Sequence, residues 1–197
     1  MTTIHDDYQG RLAIYSDVQD CLQRYHETAA RYPEVAVLEL GTAAGNSTSA
    51  FLAAAVKTGG HVWSVDLVAN PMAPQPWTVA ERWTASGYWT FIVGDDMYVE
   101  VPDRKFDVLY IDTSHTYDHT LAELRRFVPM VAEGGTVLMH DTHLEVYGGE
   151  PGPPKPGPDS PYPVTRALDT FCAETGRTWE DDSVTKYGIG ELKAPNG

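Results

Sequence analysis

Two short stretches hold the residues best equipped for chemistry: Asp112-Thr113-Ser114-His115 and His140-Asp141-Thr142-His143. Each follows an apolar run that reads as a strand, Phe106 to Ile111 and Thr136 to Met139. If those strands are neighbours, Asp112 and Asp141 converge at one end of a sheet. Two carboxylates placed so close repel unless a proton or a cation lies between them. A divalent metal there would anchor two substrate oxygens and lower the pKa of a bound hydroxyl. His115, three positions beyond Asp112, could accept the proton that the hydroxyl gives up. The same residues admit a different chemistry: Asp112, His140, Asp141 and His143 could build the iron or zinc centre of a hydrolase or oxygenase.

The elements that must position these groups are legible in the apolar pattern. Val35 to Leu40 is a continuous apolar run broken only by Glu39, as in a buried parallel strand. Gly41-Thr42-Ala43-Ala44-Gly45 follows, a bend that lets a ligand approach the main chain, and Asn46, Ser47 or Thr48 can cap the next helix. Further strands are predicted at His61 to Leu67, Trp89 to Asp96, Phe106 to Asp112 and Thr136 to Asp141. Helices are predicted over 11–31, from the glycine bend to Gly59-Gly60, over 117–131 up to the stop at Gly134-Gly135, and over 164–174. Two last strands, Ser183 to Tyr187 and Gly188 to Lys193, would form a hairpin. Strands alternating with helices imply a parallel sheet with right-handed crossovers and ligands beyond the carboxyl ends of its strands. All five of those ends carry polar groups: Glu39, Asp66, Asp95, Asp112 and His140-Asp141.

The organisation that follows is one domain over 1–197. Residues 1–32 form a helical segment, 33–141 a binding core, 142–163 a Pro/Gly-rich loop, and 164–197 the last helix and hairpin. The tract from Gly148 to Pro158 is an exposed loop beside the site, a candidate lid. Trp77, Trp83 and Tyr147 are aromatic candidates for its mouth, and Tyr117 for the acceptor pocket. His119 reads as a surface residue.

The formal net charge of -14, from 14 Lys+Arg against 28 Asp+Glu, argues against a nucleic-acid partner. No apolar run reaches the roughly 18–20 residues a membrane span needs. The two cysteines make no disulfide framework, and the polar, acidic start lacks the features of a secretory signal, so the expected location is the cytoplasm. A small molecule is the expected partner, with homo-oligomer formation left open.

The bend lacks the middle glycine of the dinucleotide fingerprint, and Glu39 is a poor neighbour for phosphate. An acid there suits a cationic ligand. The pattern from residue 33 to 141 resembles the class I S-adenosylmethionine (SAM)-dependent methyltransferases. That resemblance implies a Rossmann-like α/β three-layer sandwich, with a seven-stranded, mostly parallel sheet and a terminal antiparallel hairpin. It also implies that Glu39, Gly41, Thr42, Gly45, Asn46 and Ser47 form the loop at the methionine end. Asp66 would accept the ribose hydroxyls, Asp95 or Asp96 would meet the adenine, and Asp112 would border the cofactor. Asp112-x-x-His115 with the His140-Asp141 pair further resembles the metal-dependent sugar O-methyltransferases and the cephalosporin-hydroxylase-type proteins. By that resemblance Asp112 and Asp141 are metal ligands and His115 is the base. Where those relatives carry an acid, this chain has His140, which shifts the preference from magnesium towards manganese, iron or zinc. The implied activity is methyl transfer to a hydroxyl of a sugar or natural product, with a divalent metal (magnesium, manganese or another) as an open element. A SAM-binding protein without catalysis is the other alternative.

Overall fold

Strand β1 (Ala36–Leu40) is buried along its whole length, Glu39 included. The computed structural model describes residues 3–13, 19–67, 77–145, 161–182 and 185–193. Parallel to β1 run β2 (His61–Asp66) on one side and β4 (Phe106–Ile111) on the other. β3 (Trp89–Val93) extends the sheet beyond β2, and β5 (Val131–His140) extends it beyond β4. An antiparallel pair, β6 (Trp179–Asp182) and β7 (Ile189–Leu192), completes a seven-stranded sheet in the order β3-β2-β1-β4-β5-β7-β6. The chain reverses its direction of travel across the sheet between β1 and β4. Parallel sheets open a crevice at such a point, beyond the carboxyl ends of the strands.

Helices cover both faces. α1 (Ile4–Leu12), α2 (Leu22–Ala29) and α3 (Asn46–Thr58) share a core with Val37, Val62, Val108, Tyr110 and Leu138. α4 (Trp77–Ala85) adds the fully buried Trp83 to that layer. α5 (Tyr117–Phe127) and α6 (Pro163–Thr175) pack on the opposite face, against Leu38, Leu40, Leu109, Ile111 and Met139. Alternate strand residues therefore face opposite layers. Glu39 shares the α3 side with Val37, and His140 shares it with Leu138.

Three predicted elements differ. The stretch 11–31 is not one helix: α1 ends at Leu12, and a 3₁₀ turn at Gln19–Cys21 leads into α2. The three- to four-residue apolar spacing reported a shared packing face, since α1 and α2 both lie on α3, and not a continuous backbone. (Tyr15 and Val18 of that stripe lie outside the described residues.) The helix over 117–131 stops at Phe127, because Pro129 cannot donate the next backbone hydrogen bond. Gly134-Gly135 then sits inside β5, where a Cβ at Gly135 would crowd the Asp107 carbonyl and where the β4–β5 register shifts. The first terminal strand lies at 179–182, before the predicted 183–187, while the second, 189–192, falls within the predicted 188–193. Gly188, at φ +78, has no room for a side chain against Thr142 and His143, and so ends the turn.

Candidate active site

A cleft of about 320 Å³ opens at the carboxyl edge of the sheet, at the β1–β4 reversal. The glycine bend forms one wall. Gly41 (φ +84) packs so closely on β4 that a Cβ would overlap the Asp112 carbonyl, so only glycine fits. Gly45, at φ +75, lets the chain enter α3. Asp66, the last residue of β2, braces the bend: its Oδ2 accepts from the Thr42 amide at 2.9 Å, the Thr42 hydroxyl at 2.8 Å and the Ala43 amide at 3.2 Å.

Glu39 does not line the cleft. It is fully buried beneath the bend, where it accepts from Ser47 at 2.7 Å, Thr48 at 2.8 Å and Ser64 at 2.5 Å. Burial outweighs these donors and pushes its pKa up to about 7. Its role as the direct partner of a cationic ligand is therefore corrected: strand alternation turns it into the α3 layer, where it ties β1 and β2 to the start of α3. Asn46 and Ser47 are likewise engaged behind the wall, Asn46 by Arg11 at 2.6 Å and Ser47 by Glu39. Of the residues predicted to meet the cofactor, Gly41, Asp66, Asp95, Asp96 and Asp112 line the cleft. Glu39, Thr42, Gly45, Asn46 and Ser47 build the turn behind it. Asp95 caps the next turn through Met97 N at 2.8 Å, and Arg126 of α5 holds the same loop by donating to the Asp96 and Val99 carbonyls, each at 2.6 Å.

At the far end, Asp112 and Asp141 do converge. His115 Nε2 lies between them, 2.9 Å from Asp112 Oδ1 and 3.0 Å from Asp141 Oδ2. Tyr110, buried under the sheet end, donates to Asp112 Oδ2 at 2.9 Å. Burial opposes ionisation of Asp112, but His140 and His115 overcome it and hold its carboxyl well below the usual carboxylate range. Burial likewise works against a charge on His115, yet the two carboxylates raise its pKa to about 10. His115 (φ +53) and Asp141 (φ +61) both occupy the left-handed region, a strained conformation that clusters at functional sites.

His140 is 1% exposed, with Nδ1 3.1 Å from Asp141 Oδ1 and 3.5 Å from Asp112 Oδ1. These distances suit charge attraction, but neither ring nitrogen is aligned for a hydrogen bond. Asp112, His115 and Asp141 gather within 4.8 Å of one another, with His140 behind them. The reason is parity: His140 points into the α2–α3 layer while the turn after β4 carries His115 over the strand ends.

His143 turns away to pair with Asp181 of β6 at 2.7 Å and is not part of the cluster, which removes the geometry needed for a hydrolase or oxygenase centre with His143. Trp83 belongs to the core, donating to Asp7 at 2.8 Å, and is no mouth residue. Tyr117 packs between α5 and α6, its hydroxyl 3.2 Å from Thr170 and Arg166 over its ring. The Trp77 side chain, Tyr147 and the tract 148–158 lie outside the described residues. His119, expected at the surface, lines the cleft instead, and Glu123, one helical turn on and missed in the sequence, is completely buried beside it. Their i, i+4 spacing on α5 was the available signal.

No described helix is long and apolar enough to cross a membrane. Comparison with known proteins places this geometry in context. A rhamnosyl O-methyltransferase of Mycobacterium tuberculosis (strain H37Rv) is 29% identical over 98 residues, covering 50% of this chain and 36% of that protein. A protein of the same name from Mycobacterium bovis (BCG) matches to the same extent. This chain thus spans little more than a third of the length of those curated relatives. Among solved structures, an O-methyltransferase from Bacillus cereus in complex with S-adenosylhomocysteine (SAH) has a TM-score of 0.63 at 15% identity, covering 98% of this chain and 90% of that one. TomG from Streptomyces achromogenes, an O-methyltransferase in complex with SAM, has a TM-score of 0.65 at 17% identity, covering 99% and 87%. These structural likenesses show the fold. A family model described as a methyltransferase domain matches residues 38–142, more than half of the chain, from within β1 to just beyond Asp141. The chain belongs to that methyltransferase-domain family and has the Rossmann-like fold of the class I SAM-dependent enzymes.

Proposed function

We propose that this protein transfers the methyl group of SAM to a hydroxyl of a small molecule, with a sugar hydroxyl as the acceptor class. The observation that carries this reading is the continuity of the cleft. It runs from Asp66 and Asp95, suited to a ribose and an adenine, along Gly41 to Asp112, whose carboxylate meets His115 at the cleft's end. The rhamnosyl O-methyltransferase relatives, named for a sugar acceptor, support this choice. In the reaction, the sulfonium S–CH₃ bond breaks as an O–CH₃ bond forms, and SAH departs. The hydroxyl proton must go to a base, and His115 Nε2 is the group placed to take it. With the two carboxylates raising its pKa to about 10, the imidazole must give up a proton before it can act as base. Because the sulfonium is already activated, the remaining demand is proximity and alignment.

Two carboxylates and an imidazole within 4.8 Å fit a divalent cation, and His140, buried with neither nitrogen hydrogen-bonded among the described residues, adds a nitrogen donor beside them. Asp112 and Asp141 would hold the ion, which when bound would position acceptor oxygens and lower the pKa of the reacting hydroxyl, while the His115 imidazole stays free to take the proton. The test is transfer of isotope-labelled methyl from SAM to rhamnose-bearing glycosides, with phenols as controls. Absence of any SAH binding at saturating ligand would overturn the reading at its root, and transfer to phenols alone would overturn the acceptor class.

A further inference from the structure

A second cluster lies in the floor of the same cleft, separate from the acids at the ends of β4 and β5. Asp96 enters it from the turn after β3, and His119 and Glu123 enter it from successive turns of α5. His119 Nε2 is 3.1 Å from Asp96 Oδ1, 3.3 Å from Asp96 Oδ2 and 3.5 Å from Glu123 Oε1. Thr113 donates to Glu123 Oε1 at 2.7 Å, so one carboxylate oxygen of Glu123 is satisfied. The other is not. Glu123 Oε2 is buried with no hydrogen-bond partner among the described residues, Asp96 Oδ1 is buried with only the unaligned ion-pair contact to His119, and Glu123 is 0% exposed.

A single imidazole N–H can point at one oxygen, yet two carboxylates converge on it. An unsatisfied buried carboxylate oxygen is costly. A bound cation removes that cost at once, because one ion accepts lone pairs from all three groups. Ligand atoms about 2.1 Å from one ion stand roughly 3.0–3.4 Å apart, close to the 3.1 and 3.5 Å that separate His119 Nε2 from Asp96 and from Glu123. All three ligand atoms lie within 4.8 Å of one another.

We propose that Asp96, His119 and Glu123 form a second divalent-cation site, for a transition metal of the zinc or manganese class. The imidazole selects against magnesium, which prefers an all-oxygen shell. Asp96 and His119 also line the cleft, so coordination positions left open by the protein face the ligand space. An ion here would tie the turn after β3 to α5 and offset part of the negative charge of a cleft floor that also holds Asp95 and Asp112. The site does not depend on the methyl-transfer reading.

The test uses Zn²⁺ alone on the full chain stripped with chelator. His115→Ala/Asp141→Asn removes the first cluster. That variant should still bind Zn²⁺ by calorimetry, with a rise in Tm. Adding His119→Ala or Glu123→Gln should weaken the binding at least tenfold, since even loss of an outer partner of a metal typically costs about 10–100-fold. Glu123→Gln keeps the acceptor for Thr113, so folding is expected to survive. If the combined variants do not fold, the single substitutions in the otherwise intact protein should lower Zn²⁺ stoichiometry by one ion per chain. Absence of Zn²⁺ binding in the His115→Ala/Asp141→Asn protein would overturn the site, as would affinity or stoichiometry untouched by both added substitutions. The SAH-induced Tm shift, read on the same proteins, separates that failure from failure of the cofactor assignment.

Discussion

At the scale of single residues, the buried carboxyl of Glu39 makes the sharpest prediction. Folding raises its pKa from 4.5 to about 7, because burial outweighs three hydroxyl donors. The fold therefore prefers its neutral form. That contribution to stability is full below about pH 4.5 and is lost as pH rises through 7. A shift of this size corresponds to about 3 kcal/mol. Glu39→Gln should flatten the stability profile, shrinking the loss between pH 5 and pH 8 by roughly 2–3 kcal/mol in urea melts at the two pH values. An unchanged profile would mean that Glu39 is ionised and stabilised in the fold. His115 answers to a different measurement. A general base contributes typically about 10²–10⁴-fold, so His115→Ala should lower kcat by at least about 10² while SAH affinity holds. Equal loss of SAH affinity would assign His115 to the cofactor cleft instead.

At the scale of elements, the cofactor wall depends on α1, which never touches the cleft. Arg11 is 7% exposed and donates to the Ala44 carbonyl at 2.8 Å and to Asn46 Oδ1 at 2.6 Å, while its guanidinium lies over Trp83. Asp7, one turn earlier, takes Arg82 at 2.7 Å and Trp83 at 2.8 Å, which joins α1 to α4. Arg11→Ala would leave two acceptors without their donor, at a cost of about 1–3 kcal/mol. The expected result is a lower Tm together with weaker SAH binding, read by calorimetry. Arg11→Lys should recover only part of it, because an ammonium cannot reproduce the guanidinium fork. Gly41→Ala tests the opposite side of the same wall. Its Cβ would force β1 and β4 apart at the Asp112 carbonyl, and SAH binding should disappear even where the protein remains folded.

At the scale of the whole molecule, a ligand that binds only the folded state stabilises it by mass action. At 100 times its Kd the gain is about 2.7 kcal/mol. For a chain of this length that corresponds to a Tm rise of about 5–10 °C, and SAH should produce it in differential scanning fluorimetry. The sequence by itself determined the architecture. Apolar runs, glycine bends and an acid at each strand end are local signals, and strand alternation converts them into a sheet with polar groups along one edge. Asp112 and Asp141 could be paired from their runs alone, because neighbouring parallel strands must end together. Only the tertiary structure decided where individual side chains point. It turned Glu39 under the bend, placed His115 and not His140 between the two acids, set Asp96 against His119 and Glu123, and brought Arg11 behind the glycine wall. These outcomes depend on approach distances between elements tens of residues apart, and periodicity records which face a residue takes without recording what stands opposite it.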